Sequence, residues 1–123
     1  MSMQADSPQS FRAGYITAAF ELFGSVYDRG GYVAIAFSSQ RGGRFVEQLQ
    51  LVLFIEGIKY RVNKAKTKIF IDTNEAVDKL VPLISSNFLS VHKRQIYQRI
   101  ELIKEDRKQL NEEEVFESEG KTS

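Results

Sequence analysis

The chain has 123 residues, 42% apolar and 11% aromatic, enough to build one packed core and so one domain. It has no cysteine, which excludes disulfides, thiolate metal sites and cysteine nucleophiles together, and no apolar run approaches the ~20 residues that a membrane-spanning helix needs. The net charge of +1 hides an asymmetry: residues 1–111 carry 16 basic and 11 acidic side chains, while beyond them Glu112, Glu113, Glu114, Glu117 and Glu119 stand against Lys121 alone. A basic body suited to a polyanionic partner thus precedes an acidic tail.

In chain order, residues 1–9 form a polar extension with no basic stretch ahead of an apolar segment, so no signal peptide is expected and the protein is placed in the cytoplasm, away from membranes. Ser7 as cap and Pro8 at the first helical position open a helix that runs to about Phe23, with Phe11, Tyr15, Ala18, Ala19 and Leu22 at helical spacing and Gly24 as its stop. Ser25 to Tyr27 and Tyr32 to Ser39 are strand-like and joined through Gly30-Gly31, a tight-turn signal. Alternation puts Val33, Ile35 and Phe37 on the core face of the second strand and Tyr32, Ala34, Ala36 and Ser38 on the other.

Arg41-Gly42-Gly43 is a joint before a second helix, expected to be largely buried, from Arg44 to Glu56, with Gly57 as stop. Ile58 to Asn63 and Lys66 to Asp72 form a second hairpin that turns at Lys64-Ala65. Its one face carries Tyr60, Val62, Ile69 and Ile71, and its other carries Lys59, Arg61, Asn63, Lys66 and Lys68. Thr73-Asn74 caps a short helix that Pro82 cuts, and a last helix from Val91 to Asn111 aligns Ile96, Ile100, Ile103 and Leu110. Residues 112–123, rich in Glu, Ser, Gly and Lys, are expected to be a disordered acidic tail, which leaves residues 10–111 as the folded domain.

Chemistry is sparse. His92 is the only histidine, and with no cysteine beside it zinc has no donor set. Gly30-Gly31 and Gly42-Gly43 are too short for a phosphate-binding loop, and no nucleophile elbow is present. Ala13, Gly14, Thr17 and Ala18, small residues three and four apart, would let two helix backbones approach closely.

The order helix, hairpin, helix, hairpin, helix, helix resembles the LAGLIDADG homing endonucleases. Tyr15-Ile16-Thr17-Ala18 followed by Gly24-Ser25-Val26 is similar to the signature helix, Phe37-Ser38-Ser39-Gln40 to the family's glutamine at a strand end, and Asn87 to Gln95 to its basic element before the last helix. The resemblance implies an α+β domain of αββαββα(α) order with an antiparallel saddle sheet laid on double-stranded DNA. It also implies a homodimer paired through Ala13, Gly14, Thr17 and Ala18. DNA contacts would come from Arg29, Gln40, Lys59, Arg61, Asn63, Lys66 and Lys68, and Glu21, Gln40, His92 and Lys93 would stand near the reaction centre.

The family's metal-binding acid ends the signature helix. Aligned on Gly24-Ser25, that place holds Phe23, and in a second register Ala19; neither binds a metal, so no metal ligand is assigned. Three readings follow: a DNA-binding relative with a degenerate centre, an active endonuclease using magnesium with Glu21 or an acid from elsewhere, or a dimeric structural or partner-binding protein that does not touch DNA.

Overall fold

In a computed structural model the chain is described over residues 8–40 and 43–122, with side chains through Gln109. The elements are α1 (Pro8–Phe23), β1 (Gly24–Arg29), β2 (Tyr32–Ser38), α2 (Arg44–Ile55), β3 (Arg61–Val62), β4 (Lys68–Ile71), α3 (Asn74–Leu80) and α4 (Val91–Thr122), with short 3-10 turns between α3 and α4. The fold is α+β: a four-stranded antiparallel sheet in the order β1-β2-β4-β3. Among the described residues no helix is long and apolar enough to cross a membrane.

All four helices contribute to one core on a single face of the sheet. Val26, Val33, Ile35, Phe37, Ile69 and Ile71 from the strands meet Ile16 and Phe20 of α1, Val46, Leu49 and Leu53 of α2, Val77 and Leu80 of α3, and Ile100 and Ile103 of α4. Phe20 lies at the centre, edge-on to Phe37 and to Tyr97. Ala34 and Ala36, on the opposite face of β2, are also only 2% exposed, with Tyr27 beside Ala34 and with Ser25 and Phe70 beside Ala36. The Leu110 position of the expected α4 stripe lies outside the described side chains, and the expected Ser7 cap outside the described residues.

The turns follow local chemistry. Gly30 and Gly31 both have positive φ, as a two-residue hairpin turn requires, and Asp28 accepts from the Gly31 N–H. Gly57, at φ 72°, ends α2 in a Schellman arrangement, with Gly57 N bonded to the Phe54 carbonyl and Ile58 N to that of Leu53. Thr73 caps α3 through Ala76 N, and Pro82 sits in the 3-10 turn that follows it.

Three expectations change. β3 shrinks to Arg61–Val62 and β4 to Lys68–Ile71, because Asn63 closes the turn: its Oδ1 accepts from Thr67 N and Lys68 N while its Nδ2 donates to Thr67 Oγ1. α2 is not largely buried; Leu51, Phe54 and Ile55 are more than half exposed, because the helix has only one side toward the sheet. α4 continues to Thr122 instead of ending near Asn111, over a Glu-rich segment with no proline.

Candidate nucleic-acid interface and helix-pairing face

The sheet face opposite the helices is the first candidate surface. Pairing sets Arg61 beside Phe70, Phe70 beside Ala36 and Ala36 beside Ser25, so one row of outward residues crosses all four strands. Arg29, Lys59, Arg61 and Lys68 are exposed on or beside this face, as are Lys64 and Lys66 at the second hairpin turn. Lys66 belongs to that turn, with φ 57°, and not to the strand row where alternation placed it. Asn63 is committed to the turn through both ends of its amide, so it serves geometry first. Tyr27 and Tyr32 add half-exposed rings, the second covered by the guanidinium of Arg107 from α4.

The second surface is the outer side of α1. Its stripe of Phe11, Gly14, Ala18 and Leu22 faces away from the sheet, while Ile16, Ala19 and Phe20 face it. Of the residues at helical spacing, Phe11 (73%) and Leu22 (69%) are exposed, whereas Ala19 is buried. With Leu83, Ser85 and Phe88 this side of α1 walls a groove of about 500 Å³, and Phe88 is 81% exposed at its rim. Ala13 is half-buried at the groove wall, and Thr17 is buried. The Thr17 hydroxyl lies 2.9 Å from the Ala13 carbonyl and 3.2 Å from that of Leu83, and it accepts from Ser85 N. Thr17 therefore anchors the far wall of the groove, and Gly14 and Ala18 are the small residues left open.

The third feature is the junction where α1 ends and α4 begins. Glu21 accepts from Ser90 N at 2.5 Å and from Ser90 Oγ at 3.0 Å. Lys93 reaches back from the first turn of α4, and its Nζ donates to the Gly24 carbonyl at 2.6 Å. A carboxylate thus sits at the positive N-terminus of α4 and an ammonium at the negative C-terminus of α1, each favoured by the helix dipole it meets. Glu21 is held below the usual glutamate range, chiefly by the Ser90 backbone N–H, then by the Ser90 hydroxyl and the positive charges of Lys93 and His92. Arg94 fixes the preceding loop through the carbonyls of Ser86 and Leu89.

Of the four residues expected near a reaction centre, Glu21, His92 and Lys93 come together here. Gln40 follows β2 at the end of the sheet where Gly24 pairs with Phe37, and it is exposed. At the helix end Phe23 is half-buried, with its ring 4.2 Å from that of Phe45 between centroids. Among the described residues no group of three or more His, Asp or Glu could hold a metal ion. Sequence spacing could not reveal the clamp, because Glu21 and Ser90 are 69 residues apart.

The clamp has a measurable pH signature. Glu21 has a lowered value in the folded state, so its stabilisation is complete above the ordinary glutamate value of about 4.3 and is lost as pH falls through the lowered folded value. Melting temperatures of the wild type should therefore fall on the acid side of that window more steeply than those of Glu21→Gln, and parallel curves would show that the carboxylate carries no folding linkage. The chain matches no family model, no curated protein and no solved structure.

Proposed function

We propose that two copies of this chain pair through α1 and bind double-stranded DNA across their sheets, as a relative of the LAGLIDADG homing endonucleases in which the cleavage centre is not assembled. The observation that carries the reading is Gly14. A Cβ there would meet nothing within 4 Å, so the chain's own fold does not call for glycine, although glycine in a helix interior costs about 1 kcal/mol relative to alanine. A second helix crossing at Gly14 and Ala18 supplies a reason: it brings two backbones together and covers Phe11, Leu22 and Phe88. The element order and the four-stranded antiparallel sheet support the reading.

Pairing through α1 would give one extended basic surface from two sheets. Arg29, Lys59, Lys64, Lys66 and Lys68 are then phosphate contacts, which position the duplex, and loss of counterions from DNA makes the binding salt-dependent. Cleavage is not expected, because Phe23 stands where the acid would end the helix and Glu21 is engaged with Ser90.

The test is fluorescence anisotropy with duplex DNA across a salt series, together with a nicking assay in magnesium. The wild type should bind without nicking. Lys66→Glu with Lys68→Glu should flatten the slope of log K against log salt by about 4 in a dimer, close to one unit for each phosphate contact removed. Salt-dependent binding that this double variant leaves unchanged would remove the second hairpin from the interface. Magnesium-dependent cleavage abolished by Glu21→Gln would replace the proposal with an active endonuclease.

A further inference from the structure

We infer that Arg61 is a guanine-reading residue, held in its reading pose by Asp72 and Phe70; the inference rests on the DNA-binding reading above. Arg61 Nε and Nη2 both donate to Asp72 Oδ2, at 2.9 and 2.5 Å. The guanidinium carbon lies 5.4 Å from the centre of the Phe70 ring, its cross-strand neighbour. The Arg61 side chain is nevertheless 59% exposed. One edge of the fork is thus fixed by a carboxylate and one flat face by an aromatic ring.

What this leaves free determines what the group can recognise. A guanidinium has five N–H donors, and the edge formed by Nε and Nη2 is occupied. The remaining forward edge, one N–H from each Nη nitrogen, has the parallel spacing that matches O6 and N7 of guanine in the major groove. A phosphate is the poorer partner. The Asp72 carboxylate offsets the guanidinium charge, which weakens long-range attraction to an anion but leaves a directional donor pair for a neutral base edge. The exposed lysines near the second hairpin turn, with no ion partner among the described contacts, suit the backbone better. Arg61 sits in the outward row of the sheet, on its edge strand and not at the turn.

Asp72 and Phe70 are positioning residues. Each removes a freedom that a bare arginine would lose on binding, so most of the ordering cost of that long side chain is met before DNA arrives. Arg61→Met keeps the apolar stem and loses every donor.

The experiment uses the full chain and a library of duplexes with a randomised central region. The best-enriched duplex is then synthesised with each guanine replaced, one at a time, by 7-deazaguanine, which loses the N7 acceptor but keeps its Watson–Crick pairing. One guanine in each half-site should weaken wild-type binding about 10-fold when replaced. The same replacement should change binding less than about twofold for Arg61→Ala and Arg61→Met, with Asp72→Asn between these variants and the wild type. Circular dichroism melts identify any variant that fails to fold, and Arg61→Met, which keeps an unbranched stem beside Phe70 and has no donor, remains informative if Arg61→Ala does not fold. An enriched duplex indifferent to 7-deazaguanine, or equally sensitive in the wild type and Arg61→Met, overturns the role of Arg61 and leaves DNA binding standing. Failure to enrich or bind any duplex overturns the DNA-binding reading, and the inference with it.

Discussion

Replacing Gly24 with alanine is expected to destabilise the fold by about 3 kcal/mol and to lower the melting temperature by about 10 °C. The position is the hinge between α1 and β1, and its backbone is not in the left-handed region, so conformational freedom is not the reason for glycine. Space is. A Cβ on Gly24 would lie 2.4 Å from Phe20 Cδ1, 2.8 Å from Phe20 Cγ and 2.7 Å from the Phe20 carbonyl oxygen. The ring is fully buried between Phe37 and Tyr97 and cannot step aside without disturbing both. The carbonyl belongs to the α1 backbone and can move only with the helix. Displacement of Gly24 would also pull its carbonyl away from Lys93, so the loss should include part of the clamp at the α1–α4 junction. Thermal unfolding followed by circular dichroism measures the effect, and a change under about 0.5 kcal/mol would mean that the helix end yields easily.

Ala18→Glu is expected to leave the monomer fold nearly untouched, within about 0.5 kcal/mol, and to abolish pairing. Ala18 is exposed in the groove on the outer side of α1, so the glutamate can stay in water in the isolated chain. In a two-fold pair it would be desolvated close to its own symmetry mate. An unpaired buried charge costs about 3 kcal/mol or more, which is at least ~100-fold in the dimer constant. Sedimentation velocity at micromolar concentration should give a dimer for the wild type and a monomer for the variant. Duplex affinity should fall in parallel, because one chain engages one half-site and loses the avidity of two. A wild type that sediments as a monomer would remove the two-fold model, whereas an Ala18→Glu variant that remains dimeric would move the interface elsewhere.

Several parts of the fold were legible in the sequence because their causes are local. The Gly30-Gly31 turn needs two positive φ angles, which glycine supplies, and the register of the first hairpin follows from it. Gly57 and Thr73 end and begin helices through bonds made within a few residues. The alternation of Ile69 and Ile71 with Lys68 and Phe70 assigned the faces of β4 correctly. Where the sequence was silent, a distant group was deciding. Phe11 and Leu22 have helical spacing with Ala18 and Ala19, but the sheet approaches α1 from the side of Ile16 and Phe20. Periodicity shows that a helix has an apolar side without showing whether its own chain or another covers it.

The candidate sites divide in the same way. The basic character of the second hairpin was visible in Lys59, Arg61, Lys66 and Lys68, since charge and alternation are properties of neighbouring residues. The difference among those residues was not visible: Asn63 is occupied in the turn, Lys66 lies on the turn and Arg61 is braced by Asp72, eleven residues away.

By itself the sequence determined the element order, the two hairpin turns, the inward face of the sheet and the absence of thiol chemistry, because each rests on residue identity and short-range stereochemistry. Only the tertiary structure decided that Gly24 is required for space, that Gly14 is not required by its own chain, and that Glu21 and Lys93 join α1 to α4. Those outcomes depend on which distant surfaces meet, and free energies of packing and hydrogen bonding act only between groups that the complete fold brings together.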